Sequence, residues 1–336
     1  MTPDTMEAVL VEREGGPLAL GRIPTPRPAW GEVLVRVTAS PINPSDLGFI
    51  EGSYGGTRNL PAIPGFEGSG VVVGAGSGLL PKIFMGRRVA FASGAGGAWA
   101  EYVAVPAMRC IPLPRKYPLE GAATLIVNPL TALAFFDIVR EERHAAVVSN
   151  AAASALGRMI VRLSRERGVP VINIVRRPEQ MDLLRTLGAD HVLNSAEDGF
   201  PSRLRDLARR LGATLILDAV GGVETHTLVE AAPPRSTILV YAALAGEPSR
   251  FNARTLIAEE KRIEGFYLGH WALRKGLWRT IRDVWSVPRL AAGPLQTVVH
   301  RRLPLSAAPE AVAAYKSDMT AGKVLLVADR EVLAAA

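Results

Sequence analysis

The sequence has 336 residues, of which 48% are hydrophobic and 21% are charged, a composition that excludes a disordered chain. Its length exceeds what a single hydrophobic core usually supports, so we expect two domains. The net charge of +7 comes from dispersed basic residues with no aromatic-interleaved stripe, and the single cysteine, Cys110, excludes an internal disulfide. No apolar run is long enough to span a bilayer, and Met1–Gly16 lacks the apolar core of a signal peptide, so we expect a cytoplasmic protein without nucleic-acid or membrane partners.

The first third of the chain alternates short apolar stretches with turns. Its β-branched residues predict strands, and a glycine-rich segment, Gly65–Gly70, predicts a turn. The pattern indicates a β-dominated domain with irregular loops. The predicted strands are Ala8–Val11, Val33–Ala39, Val71–Val73 and Val89–Ala92, followed by a strand-like stretch over Val105–Leu113.

From about Asn128 the chain alternates apolar strands with amphipathic helices. This alternation predicts a doubly wound parallel sheet covered by helices on both faces. The predicted strands are Ala145–Ser149, Val171–Val175, His191–Leu193, Thr214–Leu217 and Thr237–Val240, and the helices are Ala155–Arg167, Pro178–Leu187 and Ser202–Leu211. The C-terminal part predicts helices over Leu277–Val284 and Ala308–Tyr315 and a strand, Lys323–Val327, that returns to the first domain.

The turn between the first strand of this series and its helix is the place for a dinucleotide pyrophosphate. Backbone N–H groups and the helix N-terminus bind such a group. Only one glycine of the usual fingerprint remains, so an ordinary strand-to-helix connection is the alternative. The candidate residues are Ala153, Ser154, Ala155, Leu156 and Gly157.

The second strand of the series ends in two arginines, Arg176 and Arg177. An NAD-selecting site carries an acidic residue here, which accepts from the ribose 2′-hydroxyl. Paired guanidinium groups instead suit a 2′-phosphate, so this position predicts NADPH. A solvated charge pair at the start of a helix is the alternative interpretation.

Six motifs, in this order, resemble the medium-chain dehydrogenase/reductase superfamily. They are ASPINPSDL (Ala39–Leu47), IEGSYG (Ile50–Gly55), LPAIPGFEGSGVVV (Leu60–Val73), NPLTAL (Asn128–Leu133), LGADHVLN (Leu187–Asn194) and LDAVGG (Leu217–Gly222). The resemblance implies an α/β fold with a GroES-like catalytic domain (1–125 and 270–336) and a Rossmann nucleotide-binding domain (126–269). Zinc-dependent members carry a cysteine near Ile42 and a histidine at Phe66; this chain has neither, and its five histidines are scattered, so we expect a zinc-free member.

Within the zinc-free members, two segments resemble the 2-enoyl thioester reductases: Ile42–Gly56, which contains Tyr54, and the aromatic segment Gly265–Trp271. The resemblance implies NADPH-dependent reduction of the C=C bond of an enoyl thioester, with Tyr54 donating the proton. A phenol stays protonated at neutral pH and can serve as an acid. The chain departs from that branch at Ala155, where a glycine is usual.

The resemblance also implies further site residues, each of which packing alone would also explain. Asn43 would position the nicotinamide ribose or the substrate, and Trp271 would line the acyl channel. An ordinary helix start, with Asn128 as the cap and Pro129 in the first turn, is the alternative for NPLTAL. The cofactor contacts implied are Asn128, Thr131, Tyr241, Ala242, Phe266, Tyr267 and Leu268, with Lys323 reaching a phosphate.

Two other functions stay open on the sequence. A zinc-free NADPH:quinone oxidoreductase would share the fold and cofactor but would not require Tyr54. A non-catalytic partner protein would explain the glycine-poor turn. By resemblance we expect a homodimer that pairs through an edge strand of the nucleotide-binding domain, for which the apolar stretch Thr237–Ala245 is suitable.

Overall fold

The computed structural model describes residues 2–54, 59–94 and 96–329, without the side chains of 277–281 and 285. Gly55 and Gly56 of the quoted motif lie outside these ranges. The chain forms two compact units: Met1–Asn128 with Val284–Ala291 and Thr297–Ala336, and Pro129–Asp283 with Ala292–Gln296. Within the described ranges, no helix is both long and apolar enough to cross a membrane.

The N-terminal part of the first unit consists mainly of strands. Its elements are β1 (Thr5–Val11), β2 (Leu18–Pro24), β3 (Glu32–Pro41), α1 (Pro44–Glu51), β4 (Glu67–Ala75), α2 (Leu79–Phe84), β5 (Arg88–Ala92), β6 (Tyr102–Pro106), a 3-10 helix (Ala107–Arg109), β7 (Cys110–Pro112) and α3 (Leu119–Ala122). The 3-10 helix divides the stretch that was predicted as one strand. Cys110 is buried, and loss of solvation raises the pKa of its thiol to about 12.

The middle of the chain forms the second unit. Its elements are α4 (Val127–Glu142), β8 (Ala146–Ser149), α5 (Ala155–Arg167), β9 (Val171–Val175), α6 (Pro178–Thr186), β10 (His191–Asn194), α7 (Phe200–Leu211), β11 (Ala213–Asp218), α8 (Gly222–Ala231), β12 (Thr237–Val240), α9 (Ala253–Ala258), β13 (Arg262–Gly265) and α10 (Leu268–Lys275). The six strands are parallel in the order β10-β9-β8-β11-β12-β13, which confirms the predicted doubly wound sheet.

The remaining elements are α11 (Leu277–Leu290), β14 (Val299–Pro304), a 3-10 helix (Leu305–Ala307), α12 (Ala308–Ser317) and β15 (Lys323–Val327). In the first unit, β15 pairs with β3, and the main sheet has the order β14-β15-β3-β4-β5-β7, with β6 also on β3. The predicted return of Lys323–Val327 to the N-terminal domain is therefore confirmed.

Two expectations about individual segments are wrong. Gly65–Gly70 is not only a turn, because β4 already begins at Glu67. A Cβ at Gly70 would lie 2.0 Å from the carbonyl oxygen of Arg36, so this glycine permits close approach of two strands. The segment Thr237–Ala245 does not supply an edge strand, because β12 pairs with β11 on one side and β13 on the other.

Candidate functional site

Four polar side chains are buried together in the first unit. The amide of Asn43 accepts a hydrogen bond from Lys323 Nζ at its Oδ1 and donates from Nδ2 to Glu67 Oε1 at 2.9 Å. Lys323 Nζ also donates to the carbonyl oxygen of Ile42 at 3.2 Å. Asp46 accepts from the N–H groups of Asn43 (2.7 Å) and Phe66 (3.1 Å). The NPSD turn, β4 and β15 are thereby joined by one hydrogen-bonded network.

Burial changes the proton affinity of every ionisable member of this network. Loss of solvation raises the pKa of Asp46 to about 7 and raises the pKa of Glu67, and in both cases the charge of Lys323 partly offsets the effect. Burial lowers the pKa of Lys323, while the two carboxylates oppose that shift. Lys323 is thus the cation beside two carboxyl groups, Asp46 and Glu67, whose ionised forms burial disfavours. Each charge in the network therefore depends on the presence of its oppositely charged partners.

Asn43 and Lys323, two predicted site residues, are hydrogen-bonded to other residues of this cluster. Asn43 is 1% exposed and Lys323 is 2% exposed, and both are hydrogen-bonded within the first unit. The ammonium of Lys323 is enclosed beside Ile42 and Asn43, and its contact with a phosphate stays a prediction. Asn43 instead joins Lys323 to Glu67, which makes it a supporting residue.

Glu67 fixes the start of α4. Its Oε2 accepts from the N–H groups of Ile126 (3.0 Å) and Val127 (2.9 Å), two donors that a helix start leaves without intrahelical partners. The alternative interpretation, in which Asn128 caps this helix, is wrong, because α4 begins at Val127 and the carboxylate of Glu67 binds these donors. Glu67 lies in the segment Gly65–Gly70, which was predicted only as a turn, so this role was not predicted from the sequence.

Tyr54 follows α1, two residues after its left-handed C-cap, Gly52. Its backbone N–H donates to the carbonyl oxygen of Gly48 at 3.1 Å. Its ring packs edge-on against Phe66, with centroids 5.5 Å apart, and Phe66 directly precedes Glu67. The structure therefore holds the predicted proton donor beside the residues that lead into the buried network.

In the second unit, the turn between β8 and α5 has a defined geometry. Ser154 caps α5, accepting from the N–H of Gly157 at 3.1 Å. A Cβ at Gly157 would lie 2.3 Å from the carbonyl oxygen of Ala152, so only glycine fits there. Ala151 adopts φ +47°, an uncommon value outside glycine. The N-terminus of α5, with Ala153, Ala155 and Leu156 around it, is built as a turn that can receive an anion.

A second buried network, which was not predicted from the sequence, lies next to this turn and includes Asn150, the residue that directly follows β8. Asp218, at the end of β11, is fully buried and accepts from Asn150 Nδ2 (2.7 Å) and Thr225 Oγ1 (2.6 Å). Asn150 in turn accepts from the N–H of Ala219 at 2.7 Å. The motif LDAVGG and the first residues of SNAAAS were the available signals, since each places a polar residue directly after a buried strand.

Arg176 and Arg177 lie at the end of β9 and are both exposed. The side chain of Arg177 pairs with Glu179 at 3.1 Å, and Gln180 Oε1 accepts from the backbone N–H groups of both arginines. Arg176 is close enough to Glu224 to lower the pKa of that carboxyl, although burial, the larger influence, raises it. The two guanidinium groups therefore have different surroundings, and Arg176 is the better candidate for a phosphate contact.

Tyr241 and Phe266 converge at the ends of β12 and β13. Each ring lies 5.0 Å from the ring of Phe135 on α4. The hydroxyl of Tyr241 is buried without a hydrogen-bond partner among the described residues, and burial raises its pKa. A buried hydroxyl without a partner is unfavourable, so this position fits a bound polar group.

The remaining predicted site residues differ in how far they are buried. Thr131 lies one turn after Asn128 on α4, and both are buried. Trp271 is 7% exposed and lies under Lys275, whose Nζ is 4.3 Å from the ring centroid. Tyr267 is exposed, and its ring packs on His270. Ala242 and Leu268 are partly buried. Among the side chains that the structure describes, no group of three His, Cys, Asp or Glu could hold a metal ion.

Comparisons with known proteins agree with this two-part architecture. Residues 29–115 match the alcohol dehydrogenase GroES-like domain, and residues 155–283 match the domain family called zinc-binding dehydrogenase. Mitochondrial enoyl-acyl-carrier-protein reductase from Bos taurus is 31% identical over 280 residues, covering 80% of this chain and 74% of that protein. The Xenopus tropicalis enzyme of the same name is 30% identical over 301 residues, covering 84% of each. In the Rattus norvegicus relative the aligned region covers 65% of the protein.

Solved structures show the same fold over nearly the whole chain. A proposed NADPH:quinone reductase from Mesorhizobium loti is 36% identical, with a TM-score of 0.89 and coverage of 97% of this chain and 99% of that one. A mycobacterial structure complexed with NADPH is 28% identical, with a TM-score of 0.84 and coverage of 96% and 99%. The non-catalytic alternative gains no support from these relatives. The fold, the motifs and these similarities together show that the chain is an oxidoreductase and belongs to the medium-chain dehydrogenase/reductase superfamily.

Proposed function

We propose that this protein uses NADPH to reduce the C=C bond of 2-enoyl thioesters. The observation that carries the proposal is the placement of Tyr54, packed 5.5 Å from Phe66 and adjacent in structure to the network of Asn43 and Glu67. Curated relatives of about 30% identity are enoyl-acyl-carrier-protein reductases, which supports an enoyl thioester as the substrate class.

The second unit provides groups that fit NADPH. The capped turn at Gly157 suits the pyrophosphate, Arg176 with Arg177 suits the 2′-phosphate, and the partnerless hydroxyl of Tyr241 suits a polar group of the nicotinamide half. The mycobacterial neighbour that was solved with NADPH supports the same choice. Bound NADPH would supply the hydride for the β-carbon of the substrate.

The protein's own residues would supply the proton and would hold the proton donor in position. Tyr54 would hold a proton on Oη and donate it to the α-carbon as the enolate collapses. Asn43, Lys323 and Glu67 would act as positioning residues that keep the NPSD turn, and hence α1 and Tyr54, in place. Phe135 and Phe266 would form an apolar wall beside Tyr241.

The test is turnover of crotonyl-CoA, followed by the loss of NADPH absorbance, in the wild type and in Tyr54→Phe. Loss of a general acid costs about 10²- to 10⁴-fold, so we expect kcat to fall by that factor while the Kd for NADPH is unchanged. Tyr102→Phe, in β6 of the same unit, is the matched control and should keep wild-type turnover. Equal turnover in both variants would remove Tyr54 as the proton donor.

Quinone reduction is the second candidate. It is favoured by the Mesorhizobium loti structure, whose 36% identity over 97% of this chain exceeds that of the curated enoyl reductases. A quinone takes its protons at oxygen from solvent-exchanging groups, so Tyr54→Phe should leave its rate unchanged. NADPH oxidation with a simple quinone, but not with crotonyl-CoA, would select this function.

We also propose that the protein forms a homodimer through β13, the edge strand next to β12. Its exposed residues include Arg262 and Glu264, and an antiparallel pair of β13 strands centred on Ile263 would place each arginine opposite a glutamate. Light scattering of the wild type and of Ile263→Pro would test this contact, since proline removes a donor from the strand.

A further inference from the structure

A group of large apolar side chains is exposed on one side of the first unit. Trp30 is 81% exposed, Leu79 is 76% exposed and Met108 is 71% exposed. Single exposed apolar residues are common, but several on one surface usually mark an interaction site. We call this group the α2 patch; it comprises Trp30, Leu79, Leu80, Ile83, Met85 and Met108.

Backbone hydrogen bonds bring the three segments of the α2 patch together. The N–H of Gly31, next to Trp30, donates to the carbonyl oxygen of Ser77 at 2.9 Å, just before α2. The carbonyl oxygen of Gly31 accepts from the N–H of Ala107 at 2.9 Å, in the 3-10 helix that carries Met108. The three segments that carry the patch are therefore neighbours, and the segment of Trp30 lies between the other two.

Packing of the first unit does not require these side chains. Helix α2 contacts the core through Pro81, which is buried, and through Phe84, which packs against the cluster around Val33 and Val89. Leu79 and Ile83 lie one turn apart on the outward face. A helix that only covered the sheet would carry polar residues at these positions.

The charges around the α2 patch favour an anionic occupant. Arg27, Lys82, Arg87 and Arg109 are exposed on the same segments, and Glu32, the one acidic residue in 27–32, 75–87 and 106–109, accepts from the N–H of Ala29. A second copy of this chain would bring like charges together. The apolar side chains also protrude, and a bilayer surface receives protruding tryptophan and aliphatic groups without a complementary socket.

We propose that the α2 patch docks this protein on the surface of an anionic lipid bilayer. Trp30, Leu79 and Met108 enter the boundary between headgroups and acyl chains, while Lys82 and Arg87 contact anionic headgroups. We expected no membrane partner from the sequence because no segment is long and apolar enough to span a bilayer; binding at the bilayer surface does not require such a segment. It is independent of which substrate the enzyme reduces.

The test is sedimentation of the full-length protein with vesicles of phosphatidylcholine alone or mixed with phosphatidylglycerol. We expect binding to the anionic vesicles only, weakened by salt, with a blue shift of tryptophan emission that is lost in Trp30→Phe. The double variant Leu79→Ser/Ile83→Ser should bind at least about tenfold more weakly, because each exposed aliphatic group contributes about that factor or more on burial. Ile257→Ser, equally exposed on α9, is the matched control and should bind normally.

Three results would overturn the proposal. The wild type could fail to bind anionic vesicles, or Leu79→Ser/Ile83→Ser could bind them as well as Ile257→Ser does. The wild type could also form a dimer that the double variant abolishes without any vesicle binding, in which case a second copy covers the patch. Unchanged thermal unfolding of each variant shows that the fold is intact, which is expected because the substituted side chains are exposed.

Discussion

Replacing Asp46 with asparagine should remove the contribution of this carboxyl to the pH dependence of stability in the first unit. Burial raises the pKa of Asp46 from 3.8 to about 7. The folded state therefore holds this proton more tightly than the unfolded state does, so the stabilisation is complete below about pH 4 and is lost as the pH rises to about 7. A shift of about 3 pKa units, at about 1.4 kcal/mol each, corresponds to about 4 kcal/mol of unfolding free energy.

The assay is urea unfolding of the wild type and Asp46→Asn at several pH values, followed by the emission of tryptophan, which includes the buried Trp99. The wild type should lose stability relative to the variant by about 4 kcal/mol between roughly pH 4 and pH 7, since an amide does not ionise. Asp182→Asn, on the exposed side of α6, is the control and should follow the wild type. Parallel pH profiles for the wild type and Asp46→Asn would refute the reasoning.

Three further changes test the buried network of the first unit, the cofactor turn and the arginine pair. Lys323→Met leaves two buried carboxylates without their cation and should lower the unfolding free energy by about 3–5 kcal/mol in urea, whereas exposed Lys116→Met should not. Gly157→Val places side-chain atoms on the backbone of the turn and should weaken NADPH binding at least about tenfold in a fluorescence titration. Arg176→Ala should reduce the preference for NADPH over NADH by about 10- to 100-fold, with Arg185→Ala as the unaffected control.

Local signals were sufficient to predict much of the second unit. The bounds of α5 were predicted correctly because Ser154 caps its start, Gly168 ends it at φ +65°, and its apolar residues recur at helical spacing. Strands β9 and β12 were also predicted at their observed bounds, since a short β-branched run between turn residues has few alternatives.

The buried network of the first unit could not be predicted in this way. Lys323 and Asn43 are 280 residues apart in the chain, and their contact depends on the pairing of β15 with β3. A lysine at the start of a strand usually lies in solvent, so the sequence context of Lys323 did not indicate that its ammonium is buried. Gly70 was misinterpreted for a related reason, because glycine marks turns and close strand approaches equally.

The central claim, an NADPH-dependent enoyl thioester reductase with Tyr54 as the acid, is tested most directly by one comparison of kcat/KM. Crotonyl-CoA and a simple quinone are each assayed with NADPH, using the wild type and Tyr54→Phe. We expect turnover of the thioester that falls by about 10²-fold or more in the variant. Turnover of the quinone alone, with equal rates in both proteins, would contradict it.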